Sequence, residues 1–326
     1  GRKVIFSDLI RGQVEFETEN ISDFIIVKAD GLPTYNMAVV LDDHLMGITH
    51  VIRGDEHLAN TARQILLYEA LGWRPPAFAH LPLLVDEDRR LSATIGLGTV
   101  DEYRERGYLP ETLVNFLVLL GWEGWDKETF SLSEAVQSFK LEQITPGPVI
   151  FSPNKLKELN TYYLKKSSPT RVLELILPHL RQAGHVADLT AGEREWLLQL
   201  AEAMRGELGE IAEISEKAAF FFQEEIEPES TRARLVLREE QVPMAFSTLQ
   251  ERLDNLDEFK PELIRSELRQ VCKDLNLTTR RVYLPVRVAL TGALKGPEVF
   301  QIIALLGRDK VKARLNAALK LGHQKV

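Results

Sequence analysis

The fold is decided by one stretch of the chain, DGLPTYNMAVVLDDHLMGITHVIRGDEHLANTARQILLYEALGW, which occupies residues 30–73. The apolar run 37–41 has the composition of a strand that is covered on both faces in a parallel sheet, and 47–53 is predicted to be another strand. The apolar positions of 58–71 recur with helical spacing, and a third apolar run follows at 78–85. The order strand, helix, strand predicts a right-handed β–α–β unit, which is typical of an α/β fold.

The pattern changes on either side of this stretch. Residues 1–29 alternate apolar and polar side chains, which predicts short strands joined by tight turns. Towards the C-terminus the spacing becomes helical, and Ser167-Ser168-Pro169 is the best candidate for a domain boundary. The predicted helices are 109–120, 155–164, 172–183, 191–205, 211–222, 244–256, 260–275, 296–306 and 308–321. The predicted fold class is therefore α/β followed by all-α.

Composition excludes several classes of protein. The chain has 326 residues, which at about 150 residues per domain suggests two or three domains. Hydrophobic residues make up 44% of it, and no run reaches the ~18 consecutive apolar residues of a membrane helix, so no membrane partner is expected. The single cysteine, Cys272, excludes an internal disulfide and a cysteine-rich structural zinc site. No signal peptide is visible, so the expected location is the cytoplasm, or the stroma or matrix of an organelle.

Charge is distributed unevenly along the chain. Residues 279–326 contain ten Lys and Arg against two acids, a balance of +8, whereas the whole chain carries −8 and the remainder therefore −16. A basic segment on an acidic body can bind a polyanion such as nucleic acid. A solvated, charged helix face explains the same residues equally well.

The corner after the second apolar run carries the best candidate for a binding site. Arg53 follows the end of a predicted strand, where pockets form in α/β sheets, and an arginine there can bind a carboxylate or phosphate. The hydroxyl of Tyr35 can add a hydrogen bond. Asp55, Glu56 and His57 begin the next helix, so capping explains them equally well, and we favour capping for Asp55.

Other chemical motifs are missing from the sequence. His44, His50 and His80 lack the spacing of metal ligands, so core or hydrogen-bonding roles are expected and no metal site is predicted. Neither the Walker-type phosphate loop nor a dinucleotide fingerprint occurs.

These residues resemble a known family, the glutamyl-tRNA synthetases of class I. The resemblance rests on 30–73, on PPAFAHLPLL at 75–84, on YRERGYLPETLVNFLVLLGW at 103–122, on FSPNKLKELNTYYLKK at 151–166 and on LPVRVALTGALKGPEVFQIIALLG at 284–307. It implies that Tyr35 and Arg53 contact the glutamate substrate and that Glu56 and His57 lie by the nucleotide, which strengthens the ligand interpretation of the corner.

The sequence departs from the family at both of its signatures. The first, a HIGH-like motif, is absent from residues 1–326 and lies in the family upstream of where this chain begins. The second, a lysine-leucine-serine-lysine-arginine loop, aligns with Arg90-Leu91-Ser92-Ala93-Thr94, so Arg90 and Ser92 are the implied ATP contacts and Ala93 replaces a lysine. Loss of such a charged donor costs ~3 kcal/mol or more of transition-state stabilisation. We therefore expect no glutamyl-adenylate from this chain alone.

The resemblance implies three domains. They are the later half of a Rossmann-like catalytic domain over 1–95, a stem-contact helical region over 96–167 and a helical anticodon-binding bundle over 168–326. The function implied is ATP-dependent glutamylation of tRNA, active only when the missing N-terminal half is present. The alternative is a catalytically inactive relative that binds tRNA or another protein.

The same resemblance implies the partners. ATP with Mg²⁺ is the expected co-substrate, glutamate and tRNA(Glu) are the expected ligands with tRNA(Gln) as a further candidate, and a monomer is the favoured state. Arg280, Arg281 and Arg287 are candidates for contacts with the tRNA, since lysine and arginine neutralise phosphates.

Overall fold

The computed structural model of the chain describes residues 1–90, 98–123, 127–187 and 190–323. The chain forms two compact units that alternate along the sequence. The first contains Gly1–Thr99 and Pro110–Leu156, and the second contains Val100–Leu109 and Lys157–Val326.

The described elements follow one another in this order: β1 (Lys3–Asp8), β2 (Gly12–Glu17), α1 (Tyr35–Leu45), β3 (His50–Gly54), α2 (Leu58–Leu71), β4 (Ala77–Leu81), β5 (Leu84–Val85), α3 (Val100–Arg106), α4 (Pro110–Leu119), α5 (Leu132–Ser138), β6 (Val149–Ile150), α6 (Pro153–Lys166), α7 (Pro169–Gln182), α8 (Ala191–Met204), α9 (Ile214–Lys217), α10 (Ala219–Phe222), α11 (Thr231–Val236), α12 (Val242–Asp254), α13 (Pro261–Asp274), α14 (Thr279–Thr291) and α15 (Val299–His323).

The first unit is built on a four-stranded sheet with the order β2-β1-β4-β3. β1 and β2 form an antiparallel hairpin, whereas β4 runs parallel to both β1 and β3. The helix α2 connects β3 to β4, which confirms the predicted β–α–β unit. It packs Ala62 and Ile65 on Val4 and Phe78 of the sheet, and all four side chains are buried. This packing fixes α2 beside the ends of β3 and β4.

One predicted strand is wrong, and a second is wrong in its length. The run 37–41 lies inside the helix α1, where Val40 is the buried residue. A short apolar run does not distinguish a buried strand from a turn of helix, and the eleven residues of α1 exceed the usual length of a strand. The run 78–85 is divided at Pro82, so that β4 stays in the main sheet while β5 pairs with β6.

The second unit is helical around one large core. Leu180, Leu200, Phe246, Leu268 and Ile302 come from five different helices, and each is at most 1% exposed. The helix α14 was not predicted, because Pro285 interrupts its pattern; in the structure this proline is buried inside the helix.

The two predicted C-terminal helices, 296–306 and 308–321, are confirmed as the two parts of α15. The helical backbone is interrupted at Gly307, whose φ of 77° is left-handed. A residue other than glycine adopts this conformation only with strain.

Asn160 of α6 joins three segments of the second unit. Its side chain is fully buried, and its Oδ1 accepts a hydrogen bond from the backbone N–H of Leu109 at 3.0 Å. Its Nδ2 donates to the carbonyls of Gly107 at 3.2 Å and Gly209 at 2.9 Å. Gly107 has a φ of 82° and lies directly against Ile211. The segment 100–109 is therefore bound tightly to α6 and to the loop after α8.

An ion-pair group lies next to this junction. Glu210 contacts Arg106 at 2.7 Å and Lys157 at 2.9 Å. The hydrogen bond from Arg106, opposed by burial and assisted by Lys157, lowers the pKa of Glu210 to about 2. Glu210 is thus ionised at neutral pH, and the pairs tie α3 and α6 to the same loop.

One of the ten basic residues counted in the C-terminal segment is buried. Arg314 is 3% exposed, and it donates hydrogen bonds to the carbonyls of Leu290, Phe220 and Gln223 at 2.5, 2.7 and 2.6 Å. Burial lowers the pKa of Arg314 to about 10, so the guanidinium stays charged at neutral pH. Its role is to bind the last carbonyls of α14 and α10, and it contributes nothing to a surface for polyanions.

Candidate functional site

The side chain of Arg53 lies at the carboxyl end of β3, as predicted, and is held by three neighbours. Its Nη2 donates to the hydroxyl of Thr61 at 2.6 Å and to Oε1 of Gln64 at 2.9 Å. Its Nε lies 3.3 Å from Nε2 of His80. The guanidinium is therefore fixed from α2 on one side and from β4 on the other, and its orientation does not depend on a ligand.

The groups behind Arg53 are polar and buried. Thr61 and His80 are fully buried, Gln64 is 1% exposed and Asp8 is 3% exposed. The expected hydrogen-bonding role of His80 is confirmed, since its Nδ1 is 2.6 Å from Oδ2 of Asp8. Sequence reasoning missed Thr61, Gln64 and Asp8. A signal existed for the first two, because they stand three residues apart among the apolar positions of α2, where an unpaired polar group would be costly.

Four predicted site residues are brought to one corner of the first unit. Burial lowers the pKa of Arg53, and Tyr35, Asp43 and Glu56 lie close enough to oppose that shift. The rings of Tyr35 and His57 are 6.0 Å apart. Tyr35 is 51% exposed at the start of α1, and its side chain lies close enough to Arg53 to hydrogen-bond with the guanidinium.

The expected capping role of Asp55 is wrong. Asp55 makes no cap hydrogen bond, since its buried Oδ1 has no hydrogen-bond partner among the described residues. Asp55 instead forms an ion pair with Arg11, from the turn between β1 and β2, at 2.8 Å. Glu56 remains largely exposed, with a carboxylate oxygen 3.8 Å from His57.

Of the second signature loop, the structure describes Arg90. The backbone N–H of Arg90 donates to Oδ1 of Asp86 at 2.7 Å, and the side chain of Arg90 is 75% exposed. Ser92 and Ala93 lie outside the described residues, so the ATP contact of Ser92 and the effect of Ala93 stay predictions.

The three arginines proposed for RNA contact all belong to α14. Arg280 and Arg281 are exposed in its first turn, and Arg281 donates to Oε1 of Gln241 at 2.7 Å. Arg287 is partly buried and donates to the carbonyl of Pro297. Arg280 and Arg287 are seven residues apart, about two helical turns, so they lie on the same side of α14.

Two further findings concern metals and membranes. Over the described ranges, no group of three or more His, Cys, Asp or Glu side chains is arranged to hold a metal ion. No helix in the part of the chain that the structure describes has both the length and the hydropathy needed to cross a membrane.

Both parts of the chain match known protein families. A family model described as class I tRNA synthetases (E and Q), catalytic domain, matches residues 1–158, and a model of an anticodon binding domain matches residues 171–319. A glutamate–tRNA ligase of Carboxydothermus hydrogenoformans is 43% identical over 318 residues, and one of Geobacillus stearothermophilus is 42% identical over 326. The chain belongs to the glutamyl-tRNA synthetase family.

The solved structures agree with this family. A glutamate tRNA ligase from Elizabethkingia meningosepticum, crystallised in complex with its amino acid, is 31% identical with a TM-score of 0.79 and covers 98% of this chain. The synthetase from Elizabethkingia anophelis gives a TM-score of 0.78. This confirms the fold class, an α/β catalytic part followed by a helical anticodon-binding domain. The chain spans 66% of the length of these relatives and structures.

Proposed function

We propose that this chain supplies the glutamate-binding and tRNA-binding parts of a glutamate–tRNA ligase, in which ATP activates glutamate and tRNA accepts it. The observation that supports this function best is the position of Arg53. Its guanidinium is held by buried partners at the end of a strand, and Tyr35 lies beside it. The domain limits proposed with this function are 1–95, 96–167 and 168–326. In this proposal, ligase activity also requires the part of the relatives that the chain does not span, about one third of their length.

The glutamate contacts follow from the geometry of the corner. Nε and Nη2 of Arg53 face protein acceptors, so Nη1 is the nitrogen proposed to meet one carboxylate oxygen. The hydroxyl of Tyr35 is proposed to donate to the other oxygen. Charge-assisted hydrogen bonds of this kind are stronger than neutral ones. ATP is proposed to enter as its Mg²⁺ complex, with Glu56 and His57 beside the nucleotide.

The remaining proposed ATP contacts belong to the loop. Arg90 and Ser92 are proposed to meet the phosphates, and Ala93 stands where the family's second lysine would supply charge. This substitution favours a second candidate function, a catalytically inactive protein that binds tRNA or another protein.

Glutamate-dependent ATP–pyrophosphate exchange distinguishes the two candidates. We expect exchange when the chain is joined to the remaining third of its Carboxydothermus relative, and we expect Ala93→Lys to raise the rate by about 10²-fold because it restores a preorganised charge. Ala183→Lys, which adds the same charge at the exposed end of α7, is the control and should leave the rate unchanged. No exchange by either protein contradicts the ligase and supports the inactive tRNA-binding protein.

Binding of tRNA tests the helical part. We expect the affinity for tRNA(Glu) to fall with rising salt, because bound lysine and arginine release counterions from phosphates. Replacing both Arg280 and Arg281 by alanine should lower the slope of log K against log salt by about 1 to 2. Arg194→Ala, an exposed arginine of α8, is the matched control.

The same titration, by fluorescence anisotropy with tRNA(Glu) and tRNA(Gln), measures which tRNA is preferred. Equal slopes for the double variant and the Arg194→Ala control would contradict the α14 surface. An absence of all tRNA binding would contradict both candidate functions.

A further inference from the structure

Two buried ionisable side chains, Asp8 and His80, lie behind Arg53 and are not among the proposed contacts with glutamate. Oδ1 of Asp8 accepts hydrogen bonds from the backbone N–H groups of Ile10 and Arg11, both at 2.9 Å, and of His80 at 3.2 Å. Oδ2 lies 2.6 Å from Nδ1 of His80. The two oxygens therefore have different partners, one set in the backbone and the other an imidazole.

The tautomer of the His80 imidazole follows from these partners. Burial raises the pKa of Asp8, but the hydrogen bonds from Arg11, His80 and Ile10 outweigh burial and lower it overall. The carboxylate can only accept, so Nδ1 of His80 carries the proton and Nε2 has a free lone pair. That lone pair faces two donors, the hydroxyl of Thr61 at 2.9 Å and Nε of Arg53 at 3.3 Å. A proton on Nε2 would point at the N–H of a guanidinium.

The hydroxyl of Thr61 completes the connection. It accepts from Nη2 of Arg53 at 2.6 Å, and its own hydrogen has two acceptors within reach, Nε2 of His80 at 2.9 Å and the backbone carbonyl of His57 at 3.3 Å. The shorter of these two contacts directs the hydrogen to His80. The groups thus follow one another in a defined donor order, from Arg53 through Thr61 to His80 and Asp8. Every member except Arg53 is at least 97% buried, so water does not compete for these bonds.

We infer that Asp8 and His80 are positioning residues, which fix a single imidazole tautomer so that His80 and Thr61 orient the guanidinium of Arg53 towards the substrate carboxylate. This inference rests on the proposed function of Arg53. It adds three buried residues, Asp8, Thr61 and His80, whose effect on glutamate acts through Arg53.

The substitution Asp8→Asn tests the tautomer directly. Three backbone N–H groups occupy the position of Oδ1, so the oxygen of the new amide must stay there. Its NH₂ group then replaces Oδ2 and faces Nδ1 of His80, which must become an acceptor and pass its proton to Nε2. The side chain keeps its shape, but Arg53 loses its acceptor on His80.

The measurement uses the full chain labelled with ¹⁵N-histidine and ¹⁵N-arginine. We expect long-range spectra to show His80 protonated on Nδ1 in the unchanged protein and on Nε2 in Asp8→Asn, with a protected Nε–H signal of Arg53 lost in the variant. His80→Gln and Arg53→Lys assign the two signals. A proton on Nε2 in the unchanged chain, or an Arg53 signal that Asp8→Asn leaves intact, overturns the inference.

Titration with L-glutamate then links orientation to binding. We expect Asp8→Asn to weaken binding about tenfold, which corresponds to about 1.4 kcal/mol. Thr61→Val, which removes the hydroxyl at similar volume, should weaken glutamate binding to a similar extent. Thr61→Ser, which keeps the hydroxyl, should bind glutamate within about twofold of the original chain. A melting curve shows whether Asp8→Asn folds. If it does not, Thr61→Val and Thr61→Ser still test the positioning role.

Arg53→Lys distinguishes a failure of the positioning role from a failure of the proposed glutamate site. If Arg53→Lys weakens glutamate binding but Asp8→Asn and Thr61→Val do not, the positioning role is wrong and the proposed function stands. If Arg53→Lys has no effect, or the unchanged chain binds no glutamate, the proposed glutamate site is wrong and the positioning role falls with it.

Discussion

Gly107→Ala should destabilise the second unit by about 3 kcal/mol, because two separate costs fall on one methyl group. The first is the left-handed backbone of Gly107, with a φ of 82°, which strains any residue that has a Cβ. The second is steric, since that Cβ would overlap the Cβ of Ile211 and lie 3.0 Å from its Cα and backbone N. Ile211 is 1% exposed, and Gly209, two residues before it, accepts a hydrogen bond from the buried Asn160.

The matched control is Gly184→Ala. Gly184 has nearly the same φ, 74°, but a Cβ there meets nothing within 4 Å among the described residues. Its cost should therefore be the backbone strain alone, about 1 kcal/mol. Urea unfolding of the full chain measures both variants. Equal losses of stability in the two would show that Ile211 accommodates the methyl group and would contradict the steric cost.

Arg314→Met should cost about 4 kcal/mol of folding free energy, the second large effect. The substitution keeps an apolar stem of similar length but leaves the carbonyls of Leu290, Phe220 and Gln223 without their donor. Those carbonyls end two helices, α14 and α10, where a positive charge also interacts favourably with the helix dipoles. A buried carbonyl that loses its partner costs about 1–3 kcal/mol.

Lys320→Met on the same helix is the control for Arg314→Met. Lys320 is exposed, so its replacement should change the free energy of unfolding by no more than about 0.5 kcal/mol. Thermal and urea unfolding measure both proteins. If Arg314→Met is as stable as Lys320→Met, the three carbonyls have other partners and the capping role of Arg314 is wrong.

The sequence pattern correctly predicted the elements whose apolar residues keep one spacing, helical or strand-like, along their whole length. The helix α2 was predicted with its observed limits, because fourteen residues of regular spacing end at Gly72, which adopts the left-handed conformation of a C-terminal cap. The run 37–41 failed because five apolar residues are compatible with either period. α14 failed because tertiary packing buries Pro285 and keeps the helix continuous across it, which no local rule anticipates.

The candidate site shows the same division. Arg53 could be predicted because its position at a strand end is a local property of the sequence. Asp8 could not, because it reaches His80 across 72 residues of chain and only the β1–β4 pairing brings them together. A capping role for Asp55 was predicted from its neighbours in the sequence alone. In the structure its carboxylate pairs instead with Arg11, which is distant in the sequence.

The alternation of the two units along the chain limits how such proteins can be recombined. The segment Val100–Leu109 belongs to the second unit, although the chain then returns to the first for Pro110–Leu156. A single crossover between relatives at residue 156 would leave the helical unit with a foreign version of the segment that carries Arg106 and Gly107. Its partners Glu210 and Ile211 would then come from another lineage. A functional exchange of anticodon-binding units therefore has to carry these ten residues with it.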